Sequence, residues 1–224
     1  MHFKVLITTI LIIASTGAGL FSQVEEINAN NYNKHPLAQS AINLESPNAE
    51  LLSQLIFHLC NKERGKRGIE VLKYSAPLEK SAALHAKNMN KKGFFAHNDP
   101  TSKKYRTPND RAKVVGITNA NISENIIEGY LIKYKSNTKV IPVDKGVFLH
   151  ASNRKKIEPH TYISLAEELV DRWMKSKGHK KNILFKDALE LGIGIAFFTN
   201  SDFNDMPSLL AVQNFQNYEK TISE

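Results

Sequence analysis

LGIGIAFFTNSDFNDMPSLLAVQNF, residues 191–215, holds two apolar runs on either side of a segment crowded with Asn, Asp, Ser and Pro. LGIGIAFF (191–198) and LLAVQNF (209–215) each have the length and the β-branched and aromatic content of a strand. TNSDFNDMPS between them is turn-forming, so the segment reads as an antiparallel hairpin. A third β-prone run lies at Ile126–Tyr130.

Upstream the period becomes helical. Ser164 followed by Glu167 has the spacing of a capping box (S-x-x-E), Leu165, Leu169 and Trp173 fall on one face, and Gly178 marks a stop, predicting a helix over 164–177. Leu78, Ala82, His85 and Met89 predict another from about Pro77 to residue 92, ended by Gly93. ESPNAELLSQLIFHLCNKERGKRG predicts a third over 50–64, with Ser46 as cap and Pro47 at the first helical position. Its stripe is Leu51, Leu52, Leu55, Ile56 and Leu59. IEVLKYS is a short extended link and TPNDRAKVVGITNANISEN is loop-rich. Helices early and in the middle with a terminal hairpin point to an α+β domain.

Three stretches fall outside this pattern. Residues 1–22 run from a short basic start through VLITTILIIASTGAGLF, the order of a secretory signal peptide with cleavage near Ser22–Gln23. The alternative is a single membrane anchor, since the run is close to the ~17-residue lower limit for spanning. Residues 23–45 are polar and Asn-rich and read as a leader or linker. Residues 131–160 read as an inserted hairpin or long surface loop, with His150 and His160 expected to be exposed; the domain proper is expected over 46–218, with a tail at 219–224.

At 42% hydrophobic and 23% charged, the chain can build an ordinary core. The single cysteine, Cys60, cannot pair within the chain, and its apolar neighbours make it a buried thiol rather than a nucleophile. The net charge of +8 comes from scattered pairs and triplets of Lys and Arg with no aromatic residues between them. That argues against nucleic acid and toward an anionic envelope surface or acidic glycans.

His97 (in FFAHNDP), Glu124 (in SENII) and His179 (in SKGHKKNIL) carry the candidate chemistry. Two imidazoles and a carboxylate suit a divalent metal or general acid–base work, although no compact metal motif spans them. Phe94 and Phe95 are expected to anchor the helix exit in the core while Asn98-Asp99-Pro100 turns the chain away, leaving His97 in a cleft. His85 shares a face with core residues and reads as a hydrogen-bonded core histidine.

Taken in order, SAALHAKNM…FFAH, PNDRA, SENI, RWMKSKGHKKNIL, LGIGIA and AVQNF resemble the CAP superfamily of cysteine-rich secretory, antigen 5 and pathogenesis-related proteins, and most of all its disulfide-free bacterial branch. The resemblance covers about residues 50–217 apart from the insert. It implies an α-β-α sandwich, a small antiparallel sheet between helical layers, with an open cleft lined by two histidines and acidic residues that holds zinc or another divalent ion in some members. His97 and His179 match the two cleft histidines and Glu124 the acid; Arg111 and Asn125 match recurrent positions expected to be scaffold. Ser123 departs from the usual glycine, and Ser176 stands where many eukaryotic members carry a second glutamate. Glu167 and Glu168 would replace that glutamate only by facing the cleft; they read as capping and surface residues. Three functions are consistent with this set: a module binding an extracellular lipid, glycan or protein; a metal-assisted hydrolase with Glu124 as base; and an interaction protein with a vestigial site.

Overall fold

A computed structural model describes residues 26–217. The expected signal peptide, its cleavage point and the 219–224 tail lie outside the described residues. Twelve elements follow in order: α1 (Pro36–Gln39), α2 (Ala49–Gly65), β1 (Lys73–Tyr74), α3 (Ala76–Lys92), α4 (Pro108–Val114), β2 (Ile122–Tyr130), β3 (Val140–Asp144), β4 (Val147–His150), α5 (Tyr162–Lys175), α6 (Lys177–Ile183), β5 (Glu190–Asn200) and β6 (Met206–Gln216). A 3-10 turn at Ser201–Phe203 joins the last two.

The hairpin expected at 191–215 is the centre of a four-stranded sheet in the order β1-β5-β6-β2. Leu191 lies opposite Phe215 and Phe198 opposite Ser208. β2 runs antiparallel to β6, whereas the short link at Lys73–Tyr74 adds a parallel strand beside β5. Alternation along β5 splits its residues between two layers. Leu191, Ile193 and Ile195 join the main core with Leu52 and Leu55 of α2 and Leu165, Leu169 and Trp173 of α5. On the other face Ala196 packs with Ala82, Ala86 and Met89 of α3. A Cβ on Gly192 would stand 2.1 Å from the Glu79 amide nitrogen, and one on Gly194 1.9 Å from that of Ala83. Glycine at these two places therefore lets the α3 backbone rest directly on the strand. The result is the expected α-β-α sandwich.

Element ends depart from the expected ones. α2 is capped by Asn48, whose side chain accepts from the Leu51 amide at 3.0 Å, and not by Ser46; Asn caps as well as Ser and stands next to the first turn. α3 begins and ends as expected, Gly93 taking φ 65°. α5 starts at Tyr162, because Thr161 caps it and Ser164 supplies the third-position hydroxyl of the box. Glu167 is thus an exposed side chain rather than a cap. The break after α5 falls at Ser176, in an extended conformation, and Gly178 lies inside α6. α4, in the stretch expected to be loop, is set by a capping box between Thr107 and Asp110.

Residues 23–45 are more than a polar leader: Tyr32, Ala38 and Ile42 enter the main core. The 131–160 insert is a hairpin, β3 paired with β4, over its own cluster of Ile132, Phe148, Ile157 and Met206. His160 is buried at 6% exposure rather than solvated, its Nδ1 3.0 Å from the Ser164 hydroxyl. The returning chain is tied to the sheet by the His160 amide donating to the Leu131 carbonyl, which brings the ring under cover. His150, at the end of β4, is partly covered. Among the described residues no helix is long and apolar enough to cross a membrane.

Candidate functional site

β2 is an edge strand, and its alternation distributes the site over both faces. Ile126 packs with α3 and Ile127 enters the main core. Glu124, in phase with Ile126, therefore points to the α3 side, and Asn125 to the side of α6.

The Glu124 carboxylate is fully engaged and its side chain only 1% exposed. Oε2 accepts from the Arg111 guanidinium at 2.6 Å, and Oε1 accepts from His97 Nδ1 at 3.0 Å. Arg111 is itself buried and also donates to the carbonyls of Tyr105, Arg106 and His97. One guanidinium thus fixes both the carboxylate and the backbone that presents the imidazole. Because a carboxylate only accepts, the proton of His97 in this pair lies on Nδ1. Nε2 faces away from Glu124 on a side chain that is 52% exposed.

His85 backs this group, with Nε2 3.8 Å from Glu124 Oε1 and donating to the Ala96 carbonyl at 2.9 Å. Burial lowers its pKa, and the nearby Glu124 charge only partly offsets that. It is the core histidine expected. The turn after His97 is held by Asp99, which takes bonds from Lys92 Nζ at 2.7 Å and from the Thr101 amide and hydroxyl at 2.9 and 2.7 Å. Burial pushes its pKa up, but these donors outweigh it and hold the carboxyl at about 2. Of the two phenylalanines, only Phe94 packs on the α3 cluster; Phe95 is 53% exposed. A single ring suffices because Gly93 has already turned the chain.

On the opposite side, α6 is pinned to β2 by amides. Asn125 Nδ2 donates to the His179 carbonyl at 3.1 Å and to Gln213 Oε1 at 3.0 Å. Asn182 Nδ2 donates to the Glu124 carbonyl at 3.2 Å and to Asn125 Oδ1 at 2.8 Å. These bonds place His179 at the same strand edge as His97. Its pKa is lowered by burial first and then by the proximity of His97, so the neutral ring is favoured.

The structure joins His97 to Glu124 directly and sets His179 nearby, with Arg111 and Asn125 as scaffold. Glu167 and Glu168 take no part; Glu168 lies 3.4 Å from His160 Nε2 instead. Among the described residues no three or more His, Cys, Asp or Glu side chains form a metal cluster. Cys60 is buried, and burial pushes its thiol up to about 12, which removes it as a nucleophile. Sequence reasoning missed Asn182, Gln213 and the Lys92–Asp99 pair. Asn182 had one signal, its place one helical step after His179.

A family model described as CAP, cysteine-rich secretory protein family, matches residues 57–215. Uncharacterized protein YkwD of Bacillus subtilis (strain 168) is 30% identical over 139 residues, which are 62% of this chain and 40% of that protein. The chain thus spans well under half the length of this curated relative. An extracellular protein containing an SCP domain from Bacillus anthracis superposes with a TM-score of 0.51 at 22% identity, covering 76% of this chain and 41% of that one. An outer surface protein from Borrelia burgdorferi gives a TM-score of 0.46 at 13% identity, over 80% of this chain and 98% of that one. Of these two structures, the first speaks to the fold alone, and the second is too distant to add to it.

Proposed function

The chain belongs to the CAP (cysteine-rich secretory protein) family, and on that premise we propose that it is an exported binding module whose ligand enters the cleft between His97 and His179. The observation that carries this reading is the state of Glu124. A general base needs a lone pair that water can reach, whereas each oxygen of Glu124 already accepts a hydrogen bond, from Arg111 or from His97, on a side chain that is only 1% exposed. Glu124 positions His97; it does not activate a nucleophile.

The same pair favours a divalent ion as part of the ligand site. A carboxylate accepting from Nδ1 fixes the tautomer that offers Nε2, the arrangement that supports metal-binding histidines. The lowered pKa of His179 keeps the second ring in its ligating form. Two imidazole donors suit zinc, and so few protein ligands make a weak, open site with positions left for oxygen atoms of an extracellular lipid, glycan or protein. Export rests on the apolar run at 5–21 behind a basic start.

Calorimetric zinc titration of the wild type against the His97→Ala/His179→Ala double variant tests the site. Binding in the wild type that weakens in acid and is lost in the double variant is expected. Equal affinity in both proteins would place the ion elsewhere. Zinc-dependent hydrolysis that disappears with His97→Ala would instead make the protein a hydrolase.

A further inference from the structure

α6 has two faces. His179, Asn182 and Ile183 turn inward to the cleft, β2 and the core, while Lys177, Lys180, Lys181 and Leu184 recur at helical spacing on the other side. With Lys186 beyond the helix, these lysines line an open pocket of about 680 Å³ floored by Leu184 and Phe185. All four are exposed, and none pairs with a carboxylate among the described residues. Asp187 is the one acid lining the pocket, so the charge is largely unbalanced.

The segment is also rigidly held. Arg64, fully buried, donates through Nη1 to the carbonyls of Ile183 and Phe185, both at 2.8 Å, through Nη2 to that of Ala188 at 3.4 Å, and through Nε to that of Glu70 at 2.7 Å. The turn carrying Lys186 is therefore fixed against α2 and the chain entering β1, and its lysine is presented in one place. Like charges at helical spacing repel, a cost that the fold carries without neutralising it.

We propose that this outer face of α6, with the turn that follows it, docks the protein on an anionic phospholipid surface. Phosphate headgroups complement the four ammonium groups, and the apolar floor between them meets the boundary of the acyl chains. Nucleic acid is disfavoured because the one aromatic ring among these lysines, Phe185, is packed against the main core instead of standing free to stack on a base. The site is separate from the histidine cleft and does not depend on a metal there; because both are carried by α6, docking orients the cleft relative to the membrane.

The test is co-sedimentation of the full chain with vesicles of phosphatidylcholine mixed with phosphatidylglycerol, and with pure phosphatidylcholine vesicles to subtract any contribution of the apolar N-terminus. One variant replaces Lys177, Lys180, Lys181 and Lys186 by Gln; a charge-matched control replaces the exposed Lys133, Lys135, Lys155 and Lys156 by Gln, and circular dichroism checks the fold of both. Each lysine near an anionic surface strengthens partition roughly fivefold, so the patch variant should lose about two orders of magnitude or more, while the control keeps most of the binding and added salt weakens it. Equal loss in both variants would reduce the effect to net charge and overturn the proposal. Absence of anion-dependent binding by the wild type would overturn it too. So would soluble polyphosphate bound through the same four lysines as tightly as the vesicles, since the membrane would then contribute nothing of its own.

Discussion

His97 owes its orientation to a carboxylate that solvent does not reach, and that carboxylate is held in place by the buried Arg111. Removing one member of a buried ion pair leaves the other desolvated and uncompensated. Arg111→Ala is therefore expected to cost about 3–5 kcal/mol in chemical denaturation, far more than loss of a surface arginine. A cost below about 1 kcal/mol would mean that water replaces the guanidinium. Asp99 makes a second prediction. Its folded pKa, about 2, is below the ordinary 3.8, so the unfolded chain takes up more protons as the pH falls. The stabilisation it provides is complete above about pH 4 and is lost between there and about pH 2. Thermal midpoints measured across that window should fall less steeply in Asp99→Asn than in the wild type; parallel curves would show that Lys92 and Thr101 do not hold the charge.

At the scale of elements, the fit of α3 onto β5 and the course of α6 make opposite predictions for the same substitution. Gly194→Ala places a methyl 1.9 Å from a backbone nitrogen that no rotamer can move, so α3 must lift from the sheet. A loss of about 3 kcal/mol or more is expected. Gly178→Ala meets nothing within 4 Å and lies inside a helix, so it should be neutral or stabilising by up to about 1 kcal/mol. Thermal unfolding of the two variants checks both, and a destabilising Gly178→Ala would contradict the helical assignment of α6. The element ends were legible only in part, for a local reason. Several residues near each helix start can cap it, and which one does depends on where the chain arrives from. Asn48 prevails over Ser46 and Thr161 over Ser164 because the packing of α2 and α5 on the sheet sets the first turn.

Across the whole molecule, the hairpin β3–β4 is a satellite on the sandwich, while its ends belong to the main body through Leu131, the Ile132–Pro159 bridge and His160. Replacing residues 135–155 with a short Gly/Ser linker should leave one cooperative thermal transition. Stability should fall by about 3–5 kcal/mol as Phe148 leaves its cluster with Met206. A broad or two-step transition would show that the hairpin is integral to folding. Strand hairpin, three main helices, and buried Trp173 and Cys60 could all be read from the chain, as could the three candidate residues that the sheet edge gathers, His97, Glu124 and His179, because apolar period, turn chemistry and motif order are local properties. The entry of Tyr32, Ala38 and Ile42 into the core, the burial of His160, and the placement of Asn182 and Gln213 around the site could not. Each depends on partners tens of residues away, and linear order says nothing of which of them the packed layers bring together. Glu124 is the clearest case. SENI marks it as the candidate acid, but the engagement of both its oxygens follows from Arg111 and His97 closing on them, and only the assembled sheet edge brings those three side chains within hydrogen-bonding distance.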